Sequence, residues 1–183
     1  APLSMHQWVD IMGAHASEGL SRWIDYDVQG EVAKLTDLPV AFAKDTMAAC
    51  LAELYEGNGR TIRDFLYVFV GTFVGGGLVM DGQLVGGPRG NAGAIGSLPT
   101  AIAKNGLSAQ LLEVASGWQL EQALMAAGID PQLVHSDDVL DKAPPALTEA
   151  WLARASSALA MTAASAAAFL DLEAVVVDGS LGR

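Results

Sequence analysis

Hydrophobic and polar positions follow two periods along this chain, one helical and one of extended strands. Between Tyr26 and Thr36 the apolar residues Val28, Val32, Ala33 and Leu35 recur at helical spacing, and Asp37-Leu38-Pro39 predicts a stop. Val40 to Ala43 then reads as a short buried strand. Asp45 sits where an N-cap or first-turn acid would open a helix carrying Met47, Ala48, Cys50, Leu51 and Leu54, and Gly57-Asn58-Gly59 ends that helix. Phe65 to Val70, aromatic and β-branched, predicts a central strand. Leu78-Val79-Met80 faces Gln83-Leu84-Val85 across Asp81-Gly82, a pair that tolerates positive φ at both positions and so predicts a tight hairpin. Residues 65 to 86 are expected to hold three antiparallel strands.

A turn-rich stretch from Gly86 to Pro99 follows, and the pattern then turns helical over 107–114, 118–127 and 145–170. In the last helix, Leu147, Trp151, Ala155, Ala158, Leu159 and Thr162 form a stripe expected to face the sheet. Ala174 to Val177 predicts a returning buried strand, ended by Asp178-Gly179. Three antiparallel strands, a helical excursion and a returning strand make an α+β or α/β lobe with most helices on the sheet faces. The sequence stops just after that strand, where a central strand and an apolar helix still want cover, so a partial domain is expected.

Composition narrows the picture. Of 183 residues, 51% are hydrophobic, ample for a packed core. A formal charge of −11 with only 10 Lys and Arg disfavours a nucleic-acid surface on this chain. The lone Cys50 excludes an internal disulfide and fits a reducing compartment, so a cytoplasmic location is expected. The uncharged run over 155–170 is rich in alanine and too short to span a bilayer, and Ala1-Pro2-Leu3-Ser4 has no secretory pattern.

Three segments could carry chemistry. Gly71-Thr72-Phe73-Val74-Gly75-Gly76-Gly77 lies between two strands, where backbone N–H groups and the Thr72 hydroxyl could meet a phosphate, or where the glycines simply build a hairpin. It matches neither the phosphate loop ending in Gly-Lys-Ser/Thr nor a dinucleotide fingerprint. Asp45, with Lys44 beside it, could act as a general base toward a sugar hydroxyl or only begin its helix. The small-residue loop from Gly86 to Ser97 brings backbone close to a ligand or to another strand, with Arg89 its one charge. His6, His15 and His135 have no ligand spacing and read as surface or capping residues. Trp8, Trp23, Trp118 and Trp151 read as core or interface residues.

In order, these segments resemble the ROK family of bacterial sugar-responsive repressors and sugar kinases. The resemblance rests on Leu38-Pro39-Val40, on Lys44 to Ala49, on Asp64 through Gly77, and on Gly90-Asn91-Ala92-Gly93-Ala94-Ile95-Gly96. It implies an actin-like ATPase, ribonuclease H-like fold present in part, with residues 1–44 ending an N-terminal lobe and 45–183 forming part of the C-terminal lobe. It implies Asp45 as the catalytic base and Gly71, Thr72, Gly75 and Gly76 as phosphate contacts. Lys44, Asp45, Asn91, Gly93, Ala94 and Ser97 fall at the sugar or effector positions. ATP and magnesium are implied for the complete protein, which is expected to be a homodimer.

Departures from the family pattern shape the functional expectation. Where family kinases read Asn-Asp-Ala-Asn this chain has Lys44-Asp45-Thr46-Met47, and where they read Glu-Ile-Gly-His it has Ala94-Ile95-Gly96-Ser97. A site that grips sugar hydroxyls loses roughly 1–3 kcal/mol for each polar group left stranded when its partner is replaced. The family's cysteine-rich zinc motif has no counterpart between Lys104 and Glu121, so no zinc is expected there. The expectation placed first is therefore the effector-binding and dimerisation part of a ROK-type transcriptional regulator, touching DNA through a helix-turn-helix outside this sequence. The alternative is an ATP-dependent sugar kinase of unusual specificity.

Overall fold

A computed structural model describes residue 23 and residues 26–102, 108–136 and 138–181. His6, His15 and Trp8 lie outside the described residues. The chain divides into two compact units, residues 1–45 and 46–183.

In the first unit the predicted helix is short. Helix α1, Val28–Ala33, opens on Asp27, whose carboxylate accepts the Gly30 N–H at 2.9 Å. The strand expected over 40–43 is absent: those residues form no regular element and pair with no described strand, and Phe42 is 46% exposed. Four apolar residues form a strand only beside an edge that takes up their N–H and C=O groups. Here the Val40 carbonyl accepts from the Gln29 side chain at 2.7 Å instead.

Helix α2, Asp45–Glu56, begins on the last residue of the first unit, and the rest of it belongs to the second. Beside it stands a four-stranded sheet built from β1 (Phe65–Val70), β2 (Val74–Met80), β3 (Gln83–Leu84) and, late in the chain, Ala174–Asp178. The spatial order is β3, β2, β1 and then the late strand, which runs parallel to β1, while β1–β2 and β2–β3 are antiparallel. The hairpin forms as its sequence predicts, with Asp81 at φ 53° and Gly82 at φ 70°.

After the hairpin the chain forms a two-stranded sheet of β4 (Pro99–Ile102) and β5 (Ser108–Gln110). Over 108–110 a strand thus replaces the beginning of the helix expected over 107–114. Its helical part, α3, starts only at Leu111 and runs to Ala115, because a capping box sets the boundary: the Gln110 N–H donates to Glu113 Oε2 at 2.7 Å. Then come α4 (Gly117–Ala126), α5 (Val139–Lys142), α6 (Pro145–Leu170) and the returning strand β6 (Ala174–Asp178). The boundaries of α6 are those the sequence predicts.

The strand period of two divides the core between the sheet faces. Phe65, Tyr67 and Val79 point toward α2 and pack with Cys50 and Leu54. Leu66, Val68 and Val70 point the other way, into a larger core with Leu111, Leu120, Leu124, Trp151, Ala155 and Ala158. The predicted stripe of α6 is thus inward-facing, and it meets α3 and α4 as well as the sheet residues.

Candidate phosphate-binding site

β1 and β6 are parallel neighbours, so their carboxyl ends lie side by side, the place where open α/β sheets bind ligands. Across this end the register aligns Gly75, Phe69 and Asp178. The three-residue turn Gly71-Thr72-Phe73 projects from the end of β1.

That turn is held by the start of α4. The N–H groups of Gly117 and Trp118, which have no partner within their own helix, donate to the carbonyls of Gly71 at 2.9 Å and Thr72 at 3.0 Å. The Val74 N–H donates to Ser116 Oγ at 2.9 Å, and the Ser116 carbonyl accepts from the Trp151 indole N–H at 3.0 Å. Ser116 itself is fully buried. The rings of Phe73 and Trp118 stack with centroids 6.1 Å apart.

These bonds orient the turn. No described peptide bond is cis, and in a trans peptide the C=O and the following N–H point in opposite directions. With the Gly71 and Thr72 carbonyls turned into α4, the N–H groups of Thr72 and Phe73 point away from it. Two successive N–H groups aimed the same way make a concavity suited to an anion.

The glycines after the turn are explained by packing. A Cβ at Gly75 would lie 2.6 Å from Thr46 Cγ2, and one at Gly77 would lie 2.6 Å from Cys50 Cβ. On the other face, a Cβ at Gly76 would meet the Tyr67 carbonyl at 2.4 Å and Ile95 Cδ1 at 2.9 Å. Gly75 and Gly76 therefore give strand β2 a surface smooth enough for elements on both sides, whatever else their N–H groups do. Because Thr46 rests on Gly75 and Cys50 on Gly77, α2 runs along β2 with its N-terminal end toward the turn. Burial pushes the Cys50 thiol up to about 11, with Glu53 adding to the shift.

Asp178, at the end of β6, reads from sequence only as the end of a strand. Its carboxylate accepts from the Tyr67 hydroxyl at 2.9 Å and from the Gly179 N–H at 2.7 Å. Burial and the Asp178 carboxylate together hold the Tyr67 phenol well above the ordinary tyrosine range. Beyond Asp178 the chain folds back, and the Leu181 N–H donates to the Val70 carbonyl at 3.1 Å. Sequence reasoning misses Ser116 and Asp178 because neither lies in a glycine-rich segment. The available signals are the small pair Ser116-Gly117 between two helical runs and the acid-glycine pair that closes a valine strand.

The remaining predicted residues are dispersed. Asp45 is exposed and is the first residue of α2, and Lys44 before it is half-buried. Asn91, Ala94 and Ser97 are exposed in the loop after β3. Asn91, Gly93 and Ala94 line an apolar cavity of about 350 Å³ with Leu66, Leu78 and Phe169. That cavity opens on the sheet face away from α2, since Leu66 and Leu78 alternate with the residues beneath the helix. His135 pairs at 3.5 Å with Glu121, a surface role in keeping with its side chain being 46% exposed. Trp23 is 49% exposed, whereas Trp151 is buried.

An α/β sheet with this strand order and a glycine turn at its parallel carboxyl ends has the actin-like ATPase fold of the ROK hexokinases. The crystal structure of the ROK hexokinase from Thermus thermophilus matches at a TM-score of 0.65 with 27% identity, over 86% of this chain and 56% of that one. The ROK family model matches residues 7–183, and the chain belongs to the ROK family. An N-acetylmannosamine kinase of Haemophilus influenzae (strain PittEE) is 29% identical over 180 residues, 94% of this chain and 58% of that protein. The chain thus spans little more than half the length of that relative. A ROK family transcriptional regulator, a homolog of the E. coli MLC protein, matches at a TM-score of 0.64 with 22% identity, over 84% of this chain and 42% of that one, which is a likeness of fold alone. The sequence alone places a regulator ahead of a kinase. The relatives favour the reverse order.

Proposed function

We propose that this chain is part of an ATP-dependent ROK-type sugar kinase, contributing the phosphate turn and the general base of its active site. The observation that supports the reading is the orientation of the Gly71-Thr72-Phe73 turn, whose Gly71 and Thr72 carbonyls are taken up by the start of α4 so that the N–H groups following them point away from that helix. Phosphoryl transfer is largely a matter of positioning and electrostatic stabilisation, and backbone donors of this kind supply both. Thr72 can add its hydroxyl. Asp45 heads the helix whose next residue rests on Gly75, and in this reading it takes the proton from the attacking sugar hydroxyl. Magnesium would arrive on the phosphates of the nucleotide, since among the described residues no three His, Cys, Asp or Glu side chains gather to hold a metal. The similarity to an N-acetylmannosamine kinase directs the search for substrate toward N-acetylated hexosamines.

The second reading, an effector-binding and dimerising part of a ROK-type regulator, draws on one observation. Ala94 and Ser97 stand where the family's kinases carry Glu and His, and neither can grip a sugar hydroxyl as those side chains do. Full-length protein supplied with magnesium, ATP and a panel of hexoses and N-acetylhexosamines separates the two. Sugar-dependent ADP release supports the kinase, and failure of every sugar on the panel to elicit release refutes it.

A further inference from the structure

We infer that Ser116 is the positioning residue of the phosphate turn: its hydroxyl holds Val74, which closes the turn, and its carbonyl is anchored by Trp151, so that the two residues after it, Gly117 and Trp118, are placed to set the direction in which the Thr72 and Phe73 N–H groups point. This rests on the reading of the turn as a phosphate receptor and adds to it the element that keeps the receptor in shape. A three-residue turn containing glycine has more than one backbone conformation open to it, and the direction of its N–H groups differs among them. The choice is made from outside the turn. Ser116 Oγ takes the N–H of Val74, the residue closing the turn, at 2.9 Å. The two residues after Ser116 donate to the carbonyls of Gly71 and Thr72, so the turn is fixed at Gly71, Thr72 and Val74.

Ser116 is held in its own place by a second helix. Its carbonyl accepts the Trp151 indole N–H at 3.0 Å, and Trp151 is buried in the core between α6 and the sheet. Gly117 fits this junction because a Cβ there would come within 2.9 Å of the Gly71 carbonyl oxygen and 2.6 Å of Leu181 Cδ1. The chain of contacts from Trp151 through Ser116 to Val74 couples the long helix to the turn through fully buried groups, where a hydrogen bond counts for most. Remove the hydroxyl and the Val74 N–H loses its partner in a site closed to water. The turn must then rearrange to satisfy it.

Ser116→Thr and Ser116→Val separate the hydroxyl from the shape of the side chain, since the two variants add the same bulk and only one retains Oγ. The full-length protein and both variants are titrated calorimetrically with a non-hydrolysable ATP analogue and, separately, with adenosine. The expected result is about tenfold weaker binding of the triphosphate by the valine variant than by the threonine variant, with equal adenosine affinity. Amide exchange adds a readout free of ligand, in which the Val74 N–H should exchange faster in the valine variant than in the threonine variant. Equal triphosphate affinity and equal Val74 protection in the two variants would overturn the role of Ser116 while leaving the phosphate turn intact. An unmodified protein that binds adenosine but gains nothing from the triphosphate would overturn the phosphate reading itself, and the inference with it.

Discussion

Thr46 lies so close over Gly75 that a single added carbon at position 75 would come within 2.6 Å of its Cγ2. Four residues on, Cys50 bears the same relation to Gly77. The helix headed by Asp45 is thereby seated on the strand that leaves the Gly71-Thr72-Phe73 turn. Gly77→Ala tests this seating: the new methyl would meet both Cβ and Sγ of Cys50, at 2.6 and 2.7 Å. Overpacking of this kind costs about 1–3 kcal/mol, and urea unfolding of the variant should show that loss as a lower midpoint.

Cys50 gives a second, pH-dependent test of the same interface. It is fully buried, and its thiol is raised from the ordinary value of 9.0 to about 11. A raised acid is neutral in the folded state where the unfolded chain would already ionise. Its contribution to stability is therefore complete below pH 9 and declines as pH rises from 9 toward about 11. A thiol reagent at pH 8 should react slowly with the native protein and stoichiometrically once it is unfolded. Immediate reaction in the native state would mean that α2 does not seat Cys50 against β2.

Tyr67 and Asp178 hold β1 and β6 together on the face beneath α2. Tyr67→Phe removes the donor that Asp178 accepts at 2.9 Å and should lower stability by about 1–2 kcal/mol, measured by chemical denaturation. The phenol titrates above the ordinary tyrosine range, so the stabilisation it provides is present through neutral pH and is lost only in strong alkali. Absorbance at the phenolate band should show one tyrosine ionising later than the rest, and the Phe variant should lack that late step.

Much of this architecture is legible in the sequence because local signals and tertiary packing agree there. The Asp81-Gly82 turn, the aromatic strand from Phe65 and the bounds of α6 each follow from a short-range rule that the fold respects. The failures share one physical cause. Val40 to Ala43 and residues 108–110 are ambiguous runs whose state is decided by whether a partner edge is present, and the sequence does not reveal the partner. The candidate site is half visible for the same reason: glycines and an acid at a helix start are noticed by residue type, whereas Ser116 is found only through its contacts with Val74 and Trp151, which are 42 and 35 residues away. The glycines at 75 and 76 also carry a meaning the sequence leaves open, since their missing side chains are required by Thr46 and Ile95.

Sugar-dependent ADP release by full-length protein, compared between the unmodified protein and Asp45→Asn, tests the proposed function most directly. A general base contributes about 10²–10⁴ in rate, so turnover of the sugar substrate should fall by that factor. Undiminished turnover in the asparagine variant would contradict the account.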